Sequence, residues 1–185
     1  MHSHRATIGI AARAAAPIAS LLILIAPLDV ALGDDASELR AVFIAKIVHF
    51  VEWPEGAFET DTDPIRVGVV GDPSYFDALD RVLATAESGS RSFVVRRLTG
   101  LEQASLAHIV IVGDESRGAQ RRAARALESM PVLSIGPSFR FAEYGGTIGM
   151  ELYQGKIAFD VNHSAARRAG LRISSKVLRL ATTVY

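Results

Sequence analysis

The sequence has no cysteine. That absence removes disulfides, thiol catalysis, iron–sulfur ligation and every zinc site built on thiolate. An excess of either charge is missing as well: 20 basic residues balance 20 acidic ones for a net charge of +0, so nothing steers the chain onto nucleic acid. Histidine is scarce. Beyond residue 33 there are only His49, His108 and His163, widely separated and without the His-Glu-x-x-His spacing that holds zinc. His49 and Glu52 share a helix face at three-residue spacing, but two ligands do not make a site. No Gly-x-Ser-x-Gly elbow is present, and Ser138 in "PSFRF" has no base beside it in sequence. Catalytic residues, metal and cofactor are therefore not expected.

Long apolar runs are also absent. The longest uncharged stretch, Ala14 to Leu28, falls short of the roughly 20 residues a membrane-spanning helix needs and contains Pro17 and Pro27. Arg5 and Arg13 precede it, and Ala31 and Gly33 follow in small-residue spacing. This is the pattern of a secretory signal peptide over residues 1–33, leaving a mature chain of 34–185 in a bacterial periplasm or outside the cell. A permanent anchor is the weaker reading. Removing Arg5, Arg13 and Asp29 with the leader leaves 18 basic and 19 acidic groups. At 22% charged and 49% hydrophobic residues, the remainder suits one globular domain with one core.

What is present alternates. "DDASELRAVFIAKIVHFVEWP" predicts a helix with Asp35 as N-cap, Glu38 completing a capping box, and Pro54 as terminator. Its apolar stripe is expected at Leu39, Val42, Phe43, Ile47, Phe50 and Val51. Strand "IRVGVVG" leads to a helix over "PSYFDALDRVLATAES", with Pro73 in the first turn and Phe76, Leu79, Val82 and Leu83 on one face. Strand "SFVVRRL", a short helical turn "LEQAS", the buried strand "AHIVIVG", helix "RGAQRRAARALES" and strand "PVLSIG" follow. The fold class is α/β: a mainly parallel sheet flanked by helices on both faces. A C-terminal antiparallel hairpin, turning at Gln154-Gly155 within "GGTIGMELYQGKIAFDVN", is expected at one edge. Two helical pieces, "SAARRAG" and "SSKVLRLATTVY", close the chain.

Several positions invite chemistry, and each has a plainer reading. Gly145, Gly146 and Gly149 lead into a strand, whereas a phosphate-binding glycine loop opens a helix; they serve the entry to the hairpin. Gly71 ends a strand before a helix start, but without the lysine and Ser/Thr of a P-loop. Asp114 follows a strand end as a receiver-type aspartate would, yet Asp72 stands alone where an acidic pair is required; a loop-capping role is preferred. Arg117, Arg121 and Arg125 line one helix face, either solvated or as a patch for an anionic partner. Trp53, beside Pro54, is either core or a surface that packs on something larger.

Taken together, "FIAKIVHFVEWP", "VGVVGD", "VLSIGPSFRFAEYGGTIGMELYQGKIAFDVN" and "AARRAGLRISSKVLRLA" resemble, in order and spacing, the YfiR family of periplasmic proteins across essentially the whole mature segment. The family-motif positions are Pro54, Gly71, Phe141, Gly145, Gly146, Phe159, Asn162, Gly170, Leu171, Ser174 and Ser175. The resemblance implies a regulator that restrains a membrane-bound diguanylate cyclase by touching that enzyme's periplasmic part, lowering cyclic-di-GMP. It also implies homodimers; a small effector is a further expected partner. The contact residues expected on this basis are Glu52, Trp53, Tyr144, Met150, Tyr153, Arg117 and Arg121, with the outer hairpin strand as a docking edge. The alternative is a periplasmic small-ligand module, its site at the strand ends near Gly71 and Gly113. Two departures stand out: relatives commonly carry cysteine pairs, so redox sensing is not carried over, and Asp160 stands where Glu is more usual.

Overall fold

Runs of β-branched residues set the centre of the molecule. The computed structural model describes residues 32–71 and 76–185; apart from Leu32 and Gly33, the expected leader lies outside them, as does Pro73. In chain order the elements are α1 (Leu32–Val48), β1 (Val51–Glu52), β2 (Ile65–Val70), α2 (Phe76–Ala84), β3 (Glu87–Ser88) and β4 (Arg91–Leu98). A 3₁₀ helix (Leu101–Leu106), β5 (Ile109–Val112), α3 (Arg117–Leu127), β6 (Leu133–Gly136) and α4 (Phe139–Glu143) come next. The hairpin strands β7 (Ile148–Tyr153) and β8 (Lys156–Val161) lead to α5 (His163–Arg168), β9 (Arg172–Ile173) and α6 (Ser175–Leu178).

Seven strands form one sheet in the order β3-β4-β2-β5-β6-β7-β8. Pairings from β4 through β7 are parallel, and the β3–β4 and β7–β8 pairings at the two ends are antiparallel. The fold is thus the expected α/β sheet, with its hairpin at an edge. Gln154 and Gly155 take φ of +49° and +73°, the left-handed pair that a two-residue hairpin turn requires.

Side-chain alternation splits the sheet into two faces. Ile109 and Ile111 of β5 enter the larger core with Ile44, Leu79 and Leu83 from α1 and α2 and Ala166 from α5. Val110 and Val112 enter the smaller one, with Ala104 of the 3₁₀ helix, Ala123, Ala124 and Leu127 of α3, and Phe141 of α4. The period of two along the strand dictates this division, and β5, buried on both faces, reads as an unbroken apolar run for that reason.

The structure differs from the sequence reading at both termini of the described chain. Asp35 lies within α1, not at its cap, and α1 stops at Val48, well before Pro54; His49 follows in a turn and Glu52 lies in a strand, so they share no helix face. The buried apolar residues of α1 are Ala41, Ile44, Ala45, Ile47 and Val48; Ile47, and Val51 just beyond the helix, are the members of the expected stripe that enter the core, and the small residues Ala41 and Ala45 let the helix approach the sheet closely. Phe43 sits at the rim of that contact, its ring 5.0 Å from Phe159, and Phe50 is exposed. The second expected helix ends at Ala84, because Glu87 and Ser88 turn back to pair with Ser92 and Arg91. The last helix is also short: beyond α6, Thr182 N–H donates to Phe159 C=O at 2.8 Å, Val161 N–H to Thr183 C=O at 2.9 Å, and Tyr185 N–H to Val161 C=O at 2.9 Å. The terminal residues therefore lie alongside β8 as an extra extended segment.

Candidate functional site

Residues far apart in sequence are clasped by a second, two-stranded sheet. β1 pairs antiparallel with β9, placing Val51 opposite Ile173 and Glu52 opposite Arg172, and Ser174 N–H donates to Phe50 C=O at 2.9 Å. The Arg172 guanidinium donates from Nε to Glu52 Oε2 at 2.9 Å. Both side chains are largely exposed, at 83% and 67%, so the pair contributes little stability but leaves a charged, ordered surface. A Cβ added at Gly170, which holds φ of +73°, would lie 3.4 Å from the Pro54 ring. The family-motif residues around Pro54 and those from Gly170 to Ser175 are thus one structural unit.

Trp53 is half-buried rather than free. Its indole N–H donates to His108 C=O at 3.4 Å, and its ring meets Phe58 edge-on at 5.9 Å. Phe58 lies 4.3 Å from the His108 imidazole, and the Arg91 guanidinium lies over the Phe58 ring at 3.7 Å from its centre. The acidic loop 55–64 is folded back by this stack, and Asp63 fastens it by accepting from Thr60 Oγ1, Glu59 N–H and Thr60 N–H. Those bonds, the Thr60 hydroxyl foremost, hold the Asp63 carboxyl below its ordinary pKa. Phe58 and His108 were not foreseen as partners of Trp53, since their separations of 5 and 55 residues follow no helix or strand period.

His108 is buried, at 4% exposure. Its Nδ1 accepts from Arg66 N–H at 3.0 Å, and its Nε2 lies 2.9 Å from both the Ala57 carbonyl oxygen and Arg66 Nη2. Burial pushes the imidazole pKa below its ordinary value, with the Arg66 and Arg91 charges acting in the same direction. A histidine less basic when folded than when unfolded costs stability once the unfolded chain begins to take up protons. Wild-type stability, followed by thermal melting, is accordingly expected to fall as pH drops below about 6.5; in His108→Gln that component of the fall should vanish.

The other expected contact residues are dispersed. Arg117 and Arg121 are exposed on α3, and the Arg121 guanidinium lies 4.9 Å from the Tyr144 ring centre, joining two candidates into one patch. Tyr153 is 63% exposed at the hairpin tip. Met150 is not available for contact: it is 0% exposed in the larger core, because its position in β7 points to the face covered by helices. The docking edge expected on β8 is occupied at its C-terminal end, since Phe159 C=O and both backbone groups of Val161 are bonded to the terminal segment. Asp160, 3% exposed, keeps one carboxylate oxygen without a hydrogen-bond partner, and the other accepts from Tyr185 O–H at 3.4 Å.

Gly71, at φ of +86°, would bring a Cβ to 3.3 Å from Asp114 N, so the strand ends near Gly71 and Gly113 approach each other closely. Asp114 Oδ1 accepts from Ser116 N–H at 2.8 Å, the loop-capping role. Open space lies on the second face of the sheet. There a cleft of about 520 Å³ is bounded by β2, β4 and the 3₁₀ helix, with Arg66, Gly68, Val94, Arg96, Leu98 and Leu106 on its walls. Among the described residues no helix is long and apolar enough to cross a membrane.

Residues 37–182 match the family described as YfiR/HmsC-like. Among solved structures, a conserved domain protein from Vibrio cholerae O1 biovar eltor is similar, with a TM-score of 0.56 and 14% identity, over 80% of this chain and 60% of that one. The ABC domain in complex with L-Trp from Streptococcus pneumoniae is similar with a TM-score of 0.52 and 11% identity, over 81% of this chain and 60% of that one. At these identities the likeness is one of fold.

Proposed function

The chain belongs to the YfiR/HmsC-like family, and we propose from that membership that it is a periplasmic regulator restraining an inner-membrane diguanylate cyclase through contact with the cyclase's periplasmic part. The family match across residues 37–182 carries the reading. A protein of this kind needs no chemistry of its own; it shifts a partner's equilibrium by binding one of the partner's states more tightly than another.

The β1–β9 clasp is the contact surface we favour. It presents an ordered ion pair, Glu52 with Arg172, next to exposed Phe50 and half-buried Trp53. An apolar anchor ringed by charges is the usual make-up of a specific protein contact. Because Glu52 and Arg172 are largely exposed, Glu52→Ala is expected to change stability by less than about 1 kcal/mol. The same substitution should reduce co-purification of the cyclase with tagged full-length protein from detergent-solubilised membranes. Undiminished capture by Glu52→Ala and by Arg172→Ala would move the contact elsewhere; no cyclase captured by the wild type would count against the function itself.

A second reading, a small-ligand module with a different membrane partner, is favoured by one observation, the cleft beside β2 and β4.

A further inference from the structure

The cleft exists because a crossover is too short. Between β4 and β5 the chain forms only the six-residue 3₁₀ helix Leu101–Leu106, whose Ala104 joins the second-face core together with Ala107, while Val94, Arg96 and Leu98 of β4 line the cleft beside it. The register puts Arg66 beside Val94, Gly68 beside Arg96 and Val70 beside Leu98. Alternation then sends Val94, Arg96 and Leu98 to the uncovered side. The floor has no side chain at Gly68, where even a Cβ would meet Leu98 at 2.5 Å. Leu106, 63% exposed, forms the rim.

Its charges are unequal. Arg66 is fixed at the cleft wall by donating from Nε to Leu106 C=O at 2.8 Å. The Arg96 side chain has no carboxylate or hydrogen-bond partner among the described residues, and it is exposed. Glu59 is the one acidic residue on the lining, which leaves an excess of one positive charge over an apolar floor.

We infer that this cleft binds a small amphipathic organic monoanion, its apolar body against Val94, Leu98 and Leu106 and its anionic group on the Arg96 and Arg66 guanidinium groups. The volume of about 520 Å³ is in the range of small-molecule sites, which combine mostly apolar walls with a few placed polar groups. A guanidinium meets a carboxylate, sulfonate or phosphate through paired N–H donors, which makes arginine the apt residue for this task. The inference stands whether or not the protein's partner is a cyclase.

The test is a fluorescence titration of the purified full-length chain with anilinonaphthalene sulfonate at low salt, compared with Arg96→Ala and Leu106→Glu. Both changes fall on exposed side chains, and unchanged melting temperatures establish that the variants are folded. Loss of the charged contact should weaken binding roughly tenfold in Arg96→Ala, and Leu106→Glu should weaken it at least as much by placing a like charge at the rim. Decanoate should displace the probe; inorganic phosphate at equal concentration should not. Equal affinity in wild type and both variants would overturn the inference, and displacement by phosphate as effective as by decanoate would overturn the apolar half of it.

Discussion

Phe141→Ala lowers the unfolding free energy by about 3–5 kcal/mol, the cost of emptying a fully buried aromatic site. Phe141 is 0% exposed in the core of the second face. Its surroundings make relaxation difficult. A Cβ at Gly136 would stand 2.1 Å from Phe141 Cγ, and one at Gly146 would stand 2.1 Å from Phe141 Cε1, so the ring lies directly on two stretches of bare backbone. With the ring gone, neither glycine has a side chain to move into the space, and the cavity term stays near its upper end. Guanidinium chloride denaturation should show the midpoint falling with the slope unchanged. A loss below about 1 kcal/mol would mean that α4 does not pack as described. Phe141→Leu, which keeps most of the volume, is expected to lose far less.

Asn162→Ala is expected to cost about 1–3 kcal/mol, summing a lost helix cap and a lost buried hydrogen bond. Asn162 is 8% exposed and satisfies two elements at once. Its Oδ1 accepts from Ala165 N–H at 2.7 Å, capping α5, and its Nδ2 donates to Ala142 C=O at 2.9 Å at the end of α4. Alanine fills neither role, and the Ala142 carbonyl is left with the Gly145 N–H at 3.1 Å but without the Asn162 donor. Asn162→Asp separates the two contributions, because the carboxylate keeps the cap and loses the donor. Thermal melting of the three proteins at pH 7.5 should therefore rank wild type first, Asn162→Asp second and Asn162→Ala last. Equal melting temperatures for wild type and Asn162→Ala would show that the side chain holds neither element.

These two residues also mark how far the sequence could be read. Strands β2, β5 and β6 were legible because β-branched runs between turn residues leave one folding option, and the hairpin because Gln154-Gly155 can take a left-handed turn that most pairs resist. The α1 stripe was legible in part: Ile47 and Val51 enter the core, whereas Ala41 and Ala45 take places that bulk alone would give to Phe43 and Phe50, because close helix–sheet packing selects small side chains. The β1–β9 clasp and the terminal segment on β8 escaped notice because two- to four-residue pairings carry no period of their own; the chain's tertiary path creates them. Trp53 illustrates the same limit. Its neighbour in sequence, Pro54, hinted at an ordered surface, but the Phe58–His108 stack that holds it depends on the fold of the loop 55–64. The 520 Å³ cleft was hidden for a related reason: its walls come from alternating positions of β2 and β4, and its opening comes from what the 3₁₀ helix fails to cover.

Residues of the family motifs that lie far apart in the linear chain, Pro54 at one end and Gly170 to Ser175 at the other, are brought together around the β1–β9 ladder. Such a convergence suits a protein that acts by presenting a shaped surface. The most direct test of that action is mass-spectrometric measurement of cellular cyclic-di-GMP in three strains: wild type, a deletion of this gene, and the deletion carrying the full-length chain. The account predicts that the nucleotide rises on deletion and returns to the wild-type level on restoration; an unchanged level in all three would contradict it.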